Sequence, residues 1–192
     1  MIKSLHQRPV NEHDIMYKPR TNVELENATR HRAPICVYSA VCDMVKKHGV
    51  GRTLSIMFQR SPNWIILLQD PKDMDSGHWM SLSIHPAKKE IYFFSTYGGK
   101  PDFEKNQWLT EDDQIQSGQN TNALNDALKQ MALRGWTIHY NNHKYQKEGD
   151  KTATCGIWVA AFLNSGMNPD QFYAFNKRYG LDAVDYYRMY FL

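Results

Sequence analysis

Apolar positions first recur at helical spacing after Pro34. Ile35, Tyr38, Val41, Cys42 and Val45 share one face, Lys46, Lys47 and His48 fill the last turn and Gly49 stops it, so the pattern predicts a helix opening at Pro34. Asn63-Trp64-Ile65-Ile66-Leu67-Leu68-Gln69 then runs between Pro62 and Asp70-Pro71 with the length and punctuation of a strand buried on both faces. The next stretch alternates. Met80, Leu82 and Ile84 point one way and Ser81 and Ser83 the other, and Pro86-Ala87-Lys88-Lys89 turns the chain into Ile91-Tyr92-Phe93-Phe94. This predicts a hairpin with His78 at the start of its first strand and Ser95 just past the end of its second, two ends that lie side by side in an antiparallel pair.

Beyond the hairpin, Gly98-Gly99-Lys100-Pro101-Asp102 breaks the pattern, and the polar segment to about residue 120 reads as loop. Leu124, Leu128 and Met131 return to helical spacing with Gly135 as cap, and Trp136-Thr137-Ile138-His139-Tyr140 alternates as a further strand. A polar stretch from Asn141 to Thr154, carrying Gln146 and Gly149, leads into Cys155-Gly156-Ile157-Trp158-Val159-Ala160-Ala161-Phe162-Leu163. That run is too short for a membrane span and suits one buried helix, ended by Gly166. Asn168-Pro169 opens another helix, and Val184 to Leu192 forms a Tyr-rich terminal one. The expected architecture is α+β, with a central, mostly antiparallel sheet packed against the helix headed by Cys155. Residues 1–30 are polar, hold Pro9 and Pro19 and lack sustained periodicity, which predicts an arm draped on the single domain 31–192 or partly mobile.

Composition narrows this picture only a little. The chain of 192 residues is long enough for one domain with its own core, and 23 basic against 20 acidic residues give a balance that does not by itself indicate a nucleic-acid partner. Cys36, Cys42 and Cys155 cannot all pair and form no CxxC, so neither a disulfide framework nor a zinc site is suggested and a reducing compartment fits. Met1-Ile2-Lys3-Ser4 opens no apolar leader, and no stretch nears the roughly 20 apolar residues of a membrane helix. The expectation is a soluble, monomeric protein without cofactor, metal or membrane association.

Candidate chemistry centres on Cys155. The first turn of a helix leaves backbone N–H groups unpaired and carries partial positive charge, which stabilises a thiol there as the reactive thiolate; alone, a cysteine before an apolar run is more simply a core residue. His78 changes that balance. Nucleophilic thiol chemistry needs a histidine to hold and shuttle the proton and donors for the oxyanion; Gln146, just ahead of Cys155, can set a side-chain amide beside the Cys155 backbone N–H. Trp79, adjoining His78, can shield the pair from water. His139 and His143 have i, i+4 spacing, but Tyr140 stands where a zinc protease has Glu, and they read as surface histidines.

The stretch from Gly77-His78-Trp79-Met80 to Ser95-Thr96-Tyr97-Gly98 resembles the His-Trp hairpin of the adenovirus endopeptidase (adenain) family of viral maturation proteases, whose superfamily includes the ubiquitin-like-protein-specific proteases. Gln146 with Thr154-Cys155-Gly156-Ile157-Trp158 resembles the same family's Gln and Cys-Gly motifs, and the likeness spans about half the chain, from Trp64 to Leu163. It implies the adenain-like fold and a cysteine endopeptidase with Cys155 as nucleophile, His78 as base and Gln146 as oxyanion donor. It also implies action on capsid or core precursors inside the host cell or virion, and it suggests activation by a peptide or DNA. The alternatives are an isopeptidase on ubiquitin-like modifiers and an inactive binding protein that kept the fold. One departure stands out: 17 positions from His78, where the family carries Asp, Glu or Asn to hold the histidine, this chain has Ser95. Its hydroxyl can accept from the imidazole N–H; Asp102, past Pro101, or an Asn are the other candidates.

Overall fold

The computed structural model describes residues 11–146 and 152–192; the start of the expected arm, with Pro9, and Gly149 of the polar loop lie outside the described residues. In chain order the elements are α1 (Glu12–Tyr17), α2 (Asn22–Ala28), β1 (Ile35–Val37), α3 (Tyr38–His48), α4 (Val50–Arg60), β2 (Asn63–Asp70), β3 (Asp73–His85) and β4 (Glu90–Ser95). They continue with α5 (Phe103–Trp108), α6 (Glu111–Gln116), α7 (Ala123–Leu133), β5 (Thr137–Tyr140), α8 (Cys155–Ser165), α9 (Pro169–Tyr179) and α10 (Ala183–Tyr190).

The expected hairpin is present as β3 and β4, in the register Leu82 opposite Phe93 and Met80 opposite Ser95, with Pro86–Lys88 as a single 3-10 turn between them. The sheet, however, is mixed. β2 and β4 flank β3 antiparallel, but β1 adds to β2 in parallel and β5 adds to β4 in parallel, which corrects the mostly antiparallel expectation. The cause at β1 is that Ile35 to Val37 fit a helical stripe and a strand equally well. Once Pro34 accepts from the Ile65 N–H at 3.0 Å, these residues extend alongside β2, and the helix expected from Pro34 starts only at Tyr38.

Both faces of the sheet are covered, as the unbroken apolar run of β2 requires. Ile66, Leu68, Met80, Leu82, Ile91 and Phe93 pack toward α3, α4 and α7, while Ile65, Leu67, Trp79, Tyr92 and Phe94 pack toward α8 and the helices behind it. Helix α8 is buried from Cys155 to Phe162, as expected of a helix apolar all round. Phe94 stacks on Phe162 at 4.5 Å between ring centres, and Phe172 of α9 stands edge-on to both.

Residues 11–30 are more than a drape. α1 and α2, capped by Asn11 and Thr21, insert the buried Ile15 and Leu25 into the core around α8. Burying two such side chains contributes about 1.5–3 kcal/mol each, enough to make this segment part of the fold. Short helices of two turns give too little periodicity to read from sequence, and α5 and α6 escape detection for the same reason. No helix among the described residues is long and apolar enough to cross a membrane.

Candidate active site

Gly77 delivers His78 to the sheet. Its φ of 149° leaves no room for a side chain: a Cβ there would lie 1.9 Å from the Leu68 carbonyl oxygen of the paired strand, so only glycine allows β3 to close on β2 ahead of the histidine. His78, nearly buried, then shares the sheet face of Leu68 and Met80. Its Nε2 lies 3.0 Å from Ser95 Oγ, a buried hydroxyl that also accepts from the Tyr97 N–H at 3.4 Å. Ser95 Oγ in turn donates to Glu104 Oε1, and the second carboxylate oxygen of Glu104 is 3.6 Å from His78 Nε2.

Glu104 was not visible as a site residue in the sequence. It lies on α5, within the polar segment expected to be loop, and reaches the histidine because that segment folds back over the end of the sheet. Several contacts hold α5 there. Asp102, left-handed at φ 68°, accepts from the Tyr38 hydroxyl and from the Asn125 N–H at 2.9 Å, and buried Lys105 donates to Asn106 and Gln114 at 2.8 and 2.7 Å. Asp102 is therefore occupied in anchoring α5, which removes it as the partner of His78. Nor is Asn141 that partner: its amide donates to the carbonyls of Ser95 and His143 at 2.5 and 2.9 Å. The rings that flank the imidazole are Tyr97 at 4.7 Å and Trp108 at 5.6 Å, the latter edge-on. Trp79, expected as the shield, packs with Cys155 on the α8 side of the sheet and lines the same cavity, and its indole donates to the Arg20 carbonyl at 3.2 Å.

Cys155 opens α8 as expected, but its environment is drier than a thiolate prefers. Burial pushes its thiol up, while backbone N–H groups of Trp79, Gly156 and Cys155 itself pull the other way, and the net direction is upward. The helix end does not outweigh desolvation in the direction of the shift, and burial pushes the His78 imidazole the opposite way, so each group is displaced toward its neutral form. Gly156 allows the adjoining segment to come close: a Cβ there would sit 3.0 Å from Arg20 Cβ and 3.2 Å from Leu25. Through that contact, the Trp79–Arg20 bond and the Ala153 N–H on the Met16 carbonyl, the segment around Met16 to Leu25 braces the start of α8 against β3.

Gln146 ends the described part of the loop. Its Oε1 accepts from Thr96 Oγ1 at 2.6 Å, and its Nε2 donates to the Thr152 carbonyl at 2.9 Å, with a longer 3.4 Å contact to Thr152 Oγ1. One cavity of about 460 Å³ is lined by Cys155, His78 and Gln146 together with Trp79, Tyr97 and Trp108. The two histidines at i, i+4 do not converge: His139 pairs with Glu90 at 3.4 Å, and His143 stacks on Tyr173 and pairs with Asp170 at 3.5 Å. Among the described residues no group of three His, Cys, Asp or Glu side chains is arranged to hold a metal.

Burial pushes the His78 imidazole down to about 3 from its ordinary 6.5. Because the folded value is the lower one, the unfolded chain takes up the proton first: the contribution to stability is complete above about pH 6.5 and is lost as the pH falls toward 3, roughly 2 kcal/mol by pH 5. Urea midpoints at about pH 7 and pH 5 should show this loss, and His78→Gln, which has nothing to titrate, should show less of it. An equal loss in both proteins would assign the acid sensitivity elsewhere.

Searched against protein-family models, curated proteins and solved structures, the chain matches none.

Proposed function

We propose that the protein is a cysteine endopeptidase of the adenain-like kind, and that its substrates are capsid or core precursor proteins cleaved in the host cell or virion during maturation. The observation that carries the hydrolase part is the single cavity lined by a cysteine at a helix N-terminus, a histidine whose Nε2 is already engaged, and a glutamine amide. The choice of substrate rests on the family resemblance of the His-Trp hairpin and of the Gln and Cys-Gly motifs alone.

With Nε2 on Ser95, Nδ1 is the ring nitrogen left to take a proton. As substrate enters, the Cys155 S–H proton passes to Nδ1 while Sγ bonds to the scissile carbonyl carbon. The oxyanion is met by the Cys155 backbone N–H and the Gln146 amide. The carbonyl then re-forms, the C–N bond breaks, and the proton on Nδ1 goes to the leaving amine. Water, deprotonated by the same nitrogen, hydrolyses the thioester and restores the thiol.

The test is a peptide-library cleavage assay with the purified protein, run beside labelling by a thiol-directed electrophile. Cleavage within peptides, with the label on Cys155 and not on Cys36 or Cys42, is the expected result. Cleavage confined to isopeptide-linked ubiquitin-like probes would convert the reading to a deconjugating enzyme. Neither cleavage nor labelling would leave a binding protein on a protease-like scaffold.

A further inference from the structure

We infer that Glu104 is the residue that positions His78 and balances its charge, acting through Ser95 as a relay; this assignment rests on the cysteine-protease reading above. Hydrogen bookkeeping carries it. A carboxylate only accepts, so the single Ser95 O–H hydrogen must point at Glu104, which leaves the hydroxyl oxygen as an acceptor. That oxygen already receives the Tyr97 N–H, and its remaining lone pair faces His78 Nε2 at 3.0 Å. The neutral imidazole is therefore held as the Nε2–H tautomer, with the Nδ1 lone pair free to accept the thiol proton. A serine without the carboxylate behind it could rotate and donate to Nε2 instead, which would put the ring hydrogen on Nδ1 and block the base.

Glu104 also acts directly. Its second oxygen is 3.6 Å from Nε2, and both side chains are nearly buried, so an imidazolium formed during attack gains a partner that solvent does not screen. The carboxylate is preorganised because α5 is tied down by Asp102 on one side and Lys105 on the other. The other ionisable groups toward His78 are Cys155 on α8, Tyr97, whose ring centre lies 4.7 Å from the imidazole, and Asp70, Lys72 and Asp113, all lining the same cavity. An acid is thus present behind Ser95, nine positions along the chain and one hydrogen bond further back.

The experiment is kcat/KM against pH on a cleaved peptide for four variants. Glu104→Gln should lower the plateau on the order of 10²-fold and move both limbs to lower pH, since losing a negative charge eases deprotonation of imidazolium and of thiol alike. Glu104→Asp should return the limbs toward their original positions, and Ser95→Ala should lower the plateau with the limbs in place, because the charge remains. Ser95→Asp, beneficial were an acid simply missing, should lose activity by setting a second buried carboxylate against Glu104. Unmoved limbs in Glu104→Gln, or a gain in Ser95→Asp, would overturn the relay. Should the variants not fold, ¹⁵N NMR of the wild-type imidazole decides: Nε2–H supports the relay, and Nδ1–H overturns it. A wild type that neither cleaves peptides nor labels at Cys155 would end the protease reading, and the tautomer would still test the relay by itself.

Discussion

Cys155→Ala is expected to bring peptide cleavage below detection while leaving a folded protein. Cys155 is the only cysteine that lines the cavity, and the other two are packed in or beside α3, so no second thiol can take its covalent role. The structural cost is small: alanine suits the first turn of a helix, and removing one sulfur at a cavity wall forfeits about 1 kcal/mol of packing. Cys36→Ala and Cys42→Ala should show the reverse, with cleavage intact and stability reduced, more so for Cys42, which is wholly buried in the core. The comparison requires kcat/KM and urea midpoints for all three variants. Measurable turnover in purified Cys155→Ala would end the proposed mechanism.

Gln146→Ala should lower kcat by roughly 10²- to 10³-fold with KM nearly unchanged, the usual effect of losing one oxyanion donor. The amide is well placed to hold still: Thr96 fixes its oxygen at 2.6 Å and the Thr152 carbonyl fixes its nitrogen at 2.9 Å, so the longer 3.4 Å contact is the one an oxyanion would replace. Truncation also leaves the Thr96 hydroxyl without that acceptor in a buried setting, and a fall in stability of about 1–3 kcal/mol should accompany the kinetic loss. Gln146→Glu separates the two effects, because it keeps an oxygen for Thr96 and brings a negative charge toward a developing one. If KM rises and kcat stays, Gln146 binds substrate rather than stabilising the intermediate.

Much of the fold follows from local pattern. The β3–β4 hairpin and the α8 helix were legible because alternation at Met80–Ile84 and an apolar run at Ile157–Leu163 leave few other ways to bury those side chains. Cys155, His78 and Gln146 stood out in the sequence by residue type and order, and the structure brings all three to one cavity. What the sequence could not supply depends on contacts between distant segments. The parallel placement of β1 hinges on three residues that suit either helix or strand until β2 is beside them. The buried arm depends on Gly156 leaving space for Arg20 and Leu25, more than 100 positions away. The upward shift of the Cys155 thiol comes first from its burial, which sequence position at a helix end does not reveal. Glu104 was hidden for the same reason: a carboxylate in a polar segment has no period or spacing that marks it, and only the fold of α5 across the sheet end turns it toward His78 through Ser95.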